Sequence, residues 1–65
     1  MNLKKSIIIG RAIRDKSVGQ VAESAGLSVR QLANITHRSR CHLLTLEKIA
    51  KALDYKVSEF IALGE

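Results

Sequence analysis

Residues 17–37 read S-V-G-Q-V-A-E-S-A-G-L-S-V-R-Q-L-A-N-I-T-H, and two helix starts lie back to back within them. Ser17 and Gln20 form one S-x-x-Q capping box; Ser28 and Gln31 form a second. In such a box the serine hydroxyl accepts from an orphan amide of the first turn, while the glutamine reaches back to the serine amide. Gly26 falls between the boxes, where the earlier helix has to end. A turn with positive φ costs little at glycine and more at any residue with a Cβ. The spacing therefore predicts one helix from about Val18 to Ala25 and another from just after Ser28 to about His37. Two short helices joined by a turn of three or four residues make a helix-turn-helix, here at about residues 18–37.

Apolar residues keep helical spacing on both sides of this unit, and the chain has no proline, which makes an all-α fold the economical reading. Leu3 to about Asp15 forms a first predicted helix, with Ile9, Ala12 and Ile13 as its apolar stripe and Lys4, Lys5, Arg11 and Arg14 mostly outward. Its β-branched run Ile7–Ile9 suits a short strand equally well. In the second helix Val18, Val21, Ala22 and Ala25 make an inward stripe, and the two alanines let another helix come close. The third helix offers the core only Leu32 and Ile35, with Leu27 just before it. Its opposite edge carries Val29, Arg30, Ala33, Asn34 and His37. After a basic loop, R-S-R-C-H at 38–42, a fourth helix over roughly Leu43–Leu53 turns Leu46, Ile49, Ala50 and Leu53 inward. A turn at 54–56 leads to a last short helix, capped by Ser58, in which Val57, Phe60 and Ile61 pack and which ends near Gly64. The expectation is a compact five-helix domain over 1–65, without repeats or linkers.

Sixty-five residues supply one small core, and no room for a catalytic domain with its own substrate cavity. That core is aliphatic, because Tyr55 and Phe60 are the only aromatic residues. The net charge is +5 and the isoelectric point about 9.9, above the ~9 that flags a nucleic-acid binder. No acid occurs between Ser24 and Leu46, whereas Arg30, Arg38, Arg40, His37 and His42 do. Acids return at Glu47, Asp54, Glu59 and Glu65. No Lys-rich amphipathic helix with aromatic anchors argues for a membrane surface. The single cysteine, Cys41, excludes an intrachain disulfide and suits a reducing compartment. The run Ser6–Ile9 is too short for a signal-peptide core, so a cytoplasmic protein is expected.

The order V-A-x-x-x-G-L-S, then L-A-N-I, then T-L-E-K-I-A-K-A-L resembles the Cro and lambda-repressor type helix-turn-helix family across about residues 13–61. Ala22, Gly26 and Ile35 stand at that family's small, turn and apolar positions. The resemblance implies a lambda-repressor-like five-helix DNA-binding domain of a phage or bacterial transcription regulator. This chain departs from the pattern at several points. Val18 stands where the family usually has a phosphate-gripping Gln, Thr36 and Arg38 where it often has Glu and Gly, and Cys41 where it often has Pro. The loop before the fourth helix is one residue short, and the link between the first two helices is tighter than in many members.

By this resemblance the third helix is the recognition helix, its N-terminal residues entering the major groove, and its polar edge agrees with that role. Arg30 has the fork that pairs with guanine O6 and N7, and contact with a base or with a phosphate are both open. Gln31 can read adenine or hold its cap on Ser28. Asn34, an outward residue of poor helix propensity, has adenine-reading chemistry too. Val29 and Ala33 suit thymine methyls. Ser17 and Ser28 cap helices, and their helix N-termini can each clamp a phosphate; Ser28, at the start of the recognition helix, also counts among the expected base readers and Ser17 among the phosphate contacts. His37, Arg38, Arg40 and His42 are expected on phosphates; Lys4, Lys5 and Arg11 are weaker candidates.

His37, Cys41 and His42 are too few for a closed zinc site, so no metal or other cofactor is expected. Neither a nucleophile triad nor a glycine-rich phosphate loop is present, so no enzyme activity and no small-molecule substrate are expected. The expected function is sequence-specific binding of double-stranded DNA. The protein would act as a Cro-like repressor, a homodimer on a roughly palindromic operator, paired through Val57, Ile61 or Leu63. A protein-binding module, such as an antitoxin or anti-repressor, is the alternative; nonspecific nucleoid or RNA binding is a third and weaker one.

Overall fold

Both serine–glutamine boxes form, and they set the boundaries of the two central helices. Ser17 Oγ accepts from the Gln20 amide at 3.2 Å while Gln20 Oε1 accepts from the Ser17 amide at 2.8 Å. The corresponding distances for Ser28 and Gln31 are 3.0 and 2.8 Å. The computed structural model describes residues 2–65. Those residues form five helices and no strand: α1 (Leu3–Arg14), α2 (Val18–Ala25), α3 (Val29–Arg38), α4 (Leu43–Ala52) and α5 (Val57–Leu63). Gly26 takes φ +73°, with the Leu27 amide donating to the Ala22 carbonyl and the Gly26 amide to that of Glu23. This pair of bonds is the Schellman closure that glycine permits cheaply.

Three other helix ends adopt the same left-handed backbone without glycine, at Asp15, Ser39 and Asp54. Aspartate tolerates this region better than most residues with a side chain. Bonds from Lys16 to Arg11 and from Tyr55 to Ala50 close α1 and α4 as Leu27 closes α2.

The core joins Leu3 and Ile7 of α1, Val21, Ala22 and Ala25 of α2, Leu32 of α3, and Phe60 of α5 to the inner face of α4. The small residues Ala22 and Ala25 allow α2 its close packing on α4, while α1 packs mainly on α5. The expected stripes of α2 and α4 are the observed ones: Val21, Ala22, Ala25, Leu46, Ile49, Ala50 and Leu53 are buried, and Val18 is half-buried.

The stripe of α1 is not the expected one. Leu3, Ser6, Ile7 and Gly10 face inward; Ile9 is only half-buried, Ala12 is exposed and Ile13 is 58% exposed. Gly10 explains the rotation. A Cβ there would stand 3.1 Å from Leu53 Cδ1 and 3.7 Å from Phe60 Cε1, so α1 lies against α5 and Leu53 along the row its missing side chain opens. The Ile7–Ile9 run is helical throughout.

Ser58 does not cap α5. The helix starts two residues earlier, with Lys56 at the N-cap and Glu59 Oε1 accepting from its amide at 2.9 Å, which leaves Ser58 inside the first turn. Arg14, expected outward, is tied down: its guanidinium donates to the Leu53 and Asp54 carbonyls at 3.0 and 3.1 Å and covers the Tyr55 ring at 4.2 Å. Lys16 Nζ donates to the Ala52 carbonyl at 2.9 Å. Two cations thus occupy the electronegative end of α4, where the last carbonyls have no helical partner. At the far pole Gly64 is buried against the start of α1, and a Cβ on it would collide with the Asn2 carbonyl and Ser6 Oγ. Ser6 Oγ is itself buried without a hydrogen-bond partner.

Candidate nucleic-acid interface

Only Leu32 of α3 is fully buried, with Ile35 and Thr36 half-buried beside it. Every other residue of the helix is exposed: Val29, Arg30, Gln31, Ala33, Asn34, His37 and Arg38. The helix therefore presents a broad face of small, polar and basic groups while one leucine anchors it. That face begins at the Ser28 cap, where the first-turn amides lie beyond the reach of any helical carbonyl.

The expected base readers occupy this face together. Val29, Arg30, Ala33 and Asn34 share it at helical spacing, and Arg30 and Asn34 extend from adjacent turns. Gln31 is constrained differently. Its Oε1 is engaged by the Ser28 amide at 2.8 Å, which leaves the carboxamide NH2 as its free donor. Bidentate adenine reading needs both a donor and an acceptor, so it would require Gln31 to release the cap.

The expected phosphate groups divide between two places. Ser17, exposed at the start of α2, spends its hydroxyl oxygen on Gln20 and adds the first-turn end of that helix to the site. His37 and Arg38 close α3, whereas Arg40 and His42 lie on the segment leading to α4, all four exposed. This segment is held at its start by Ser39, whose Oγ accepts from the Lys4 amide at 3.2 Å and so ties the end of α3 to the beginning of α1. His42 stands at the N-cap of α4 without a side-chain capping bond. Cys41 is half-buried between Arg40 and His42, and burial pushes its thiol above the ordinary range.

Val57, Ile61 and Leu63 are half-buried and pack on the core, so only part of each reaches the surface. The largest exposed aliphatic pair is elsewhere, Leu43 and Leu44 at the start of α4, 64% and 71% exposed. Sequence reasoning passed over these two, and spacing alone carries Leu43 onto the face of Leu46 and Ala50, so its exposure shows only in the fold. Among the described residues, no three His, Cys, Asp or Glu side chains come together as a metal site, and no helix is long and apolar enough to cross a membrane.

Searches of curated proteins and of solved structures give no match to the chain. The sequence pattern of the Cro/C1-type HTH DNA-binding domain does match, over residues 9–64, which takes in all of α2 to α5 and the capped turn between α2 and α3. With α3 exposed and its caps formed, and the match covering most of its length, the chain belongs to the Cro/C1-type helix-turn-helix family of DNA-binding domains.

Proposed function

We propose that the protein is a sequence-specific transcriptional repressor that binds a roughly palindromic operator as a homodimer. The observation that carries this reading is α3, a capped helix that keeps one residue for the core and gives Arg30 and Asn34 to the exterior. Arg30 reads a guanine, Asn34 an adenine, and Val29 and Ala33 pack on thymine methyls. Ser28, and Gln31 through its remaining donor, fix the helix end at the base edges. Ser17, His37, Arg38, Arg40 and His42 hold phosphates on either side.

One such helix reads few base pairs, so useful specificity calls for two of them one duplex turn apart, about 34 Å. The domain measures 25 × 23 × 18 Å, a size that lets two adjacent copies meet that spacing. The exposed parts of Val57, Ile61 and Leu63 on α5 supply the pairing surface, and a dimer assembled only on DNA serves equally. Occupancy of the operator is then enough to exclude polymerase.

Selection from a randomised duplex library, with the bound fraction sequenced over a series of salt concentrations, tests the reading. A palindromic motif and an affinity that falls steeply with salt are expected. Binding without enrichment would make it a nonspecific DNA binder, and no binding at low salt would leave a protein as the partner.

A further inference from the structure

A groove of about 280 Å³ runs between α1 and α3, with the start of α2 at one end. Ile7 and Leu32 form its buried floor; Ile8 on one wall is 50% exposed, and Val18 closes the side. Thr36 adds no free donor, because its hydroxyl already donates to the Leu32 carbonyl at 2.8 Å. The bond from the Lys4 amide to Ser39 Oγ brings the start of α1 to the end of α3. Lys4 and His37 stand at one end of the groove; Arg11, half-buried on the α1 wall, stands toward the other, where its Nε donates to the Lys16 carbonyl at 3.2 Å and its two terminal NH2 groups remain for an incoming carboxylate. No acidic side chain lines it.

Lys4 and Arg11 are two helical turns apart, about 10 Å along α1. An apolar trough with a cation toward each end selects an occupant of matching pattern, apolar residues between two carboxylates at that separation. A small carboxylate has one anionic head and would leave one end unpaired. On the reading above, DNA offers phosphates to the ends and thymine methyls to Val29 and Ala33, and leaves Ile7 and Ile8 uncovered. A helix laid lengthwise along a groove between two helices satisfies both requirements.

We propose that this groove docks an acidic amphipathic helix of a protein partner, and that the partner and DNA exclude one another. Exclusion follows because Ala33 and His37 belong both to the groove wall and to the exposed face of α3. The exclusion rests on the DNA reading above; the docking does not.

The probe is a fluorescein-labelled, stapled helical peptide with leucines on one face between two glutamates about two turns apart. Anisotropy with the full chain should show saturable binding. Ile8→Gln changes no charge and touches no core position, and should weaken the peptide at least ~10-fold by placing an amide in the trough. Its DNA affinity should stay within about twofold of the parent, since position 8 lies outside the base and phosphate contacts. A peptide with its leucines replaced by serine should not bind, and unlabelled peptide should release the parent protein from a selected duplex.

Equal binding by Ile8→Gln, or by the serine peptide, would reduce the effect to bulk charge attraction and overturn the docking. Equal weakening of DNA and peptide by Ile8→Gln would make the groove part of the DNA surface and overturn it as well. Peptide binding that leaves the DNA complex intact would overturn the exclusion. A protein that bound the peptide and no DNA would support docking while the DNA reading fell. Circular dichroism of the variant separates each result from loss of fold.

Discussion

Helices α3 and α4 are both ten residues long, yet α3 buries one residue fully and α4 buries Leu46, Ile49, Ala50 and Ala52. Their ends differ in the opposite sense. α3 starts at its own Ser28–Gln31 box and ends at the left-handed Ser39, with a single bond from outside, the Lys4 amide to Ser39 Oγ. α4 has no side-chain cap at His42, and its last carbonyls are held by Arg14 and Lys16 from another part of the chain. A helix that yields its surface to a ligand gains little from tertiary packing, so its local signals must specify it. A helix sunk in the core can leave its ends to distant side chains.

The sharpest way to break this contrast is at the single anchor. Leu32→Ala should cost about 2–5 kcal/mol, a large share of the stability of so small a domain. Thermal unfolding measures it, and a loss below 1 kcal/mol would show α3 to be held mainly by its caps. Arg30→Ala acts on the other face of the same helix. It should leave Tm unchanged while costing roughly 1–3 kcal/mol of binding and relaxing discrimination at one base position. Equal losses on specific and random duplex would assign Arg30 to a phosphate instead.

Ser28→Ala should remove about 1 kcal/mol of stability, and a double mutant with Gln31→Ala should cost less than the two single losses summed, since the box acts as a unit. At the end of α4, Arg14→Ala should cost about 0.5–1 kcal/mol through lost carbonyl bonds and ring contact. Smallest of all is Arg40→Ala, with no effect on folding and a salt dependence of DNA binding shallower by about one counterion. If Arg14→Ala instead matched Leu32→Ala, the idea of a core-held α4 would fail.

The same contrast explains what the sequence could reveal. The boundaries of α2 and α3 were legible because their signals span three or four residues, serine to glutamine and alanine to glycine. Exposure of Val29, Arg30, Ala33 and Asn34 was legible because Leu32 and Ile35 leave so thin an apolar edge. The inward face of α1 was not, since it turns on Gly10, a residue whose contribution is the space it leaves for Leu53 and Phe60. Arg14 read only as an outward cation, and Lys16 carried no signal, because the carbonyls they serve lie far along the chain. Left-handed ends at Asp15, Ser39 and Asp54 carry no glycine to announce them. Within the candidate site, only geometry could show that Gln31 has given its oxygen to the cap. The groove between α1 and α3 was hidden for a similar reason, as its walls come from helices that are not consecutive.

Gly64 rests on Asn2 and Ser6, so the first and last described turns of the chain meet at one pole. The path is therefore nearly a ring, and the order of its helices is one choice among several equivalent cuts. Linking Glu65 to Asn2 through a short flexible bridge and opening the chain between Arg40 and Cys41 would interrupt no helix. Such a circular permutant keeps every core contact while freeing the basic segment, which separates the part of DNA affinity owed to that segment's fixed position from the part owed to its charge.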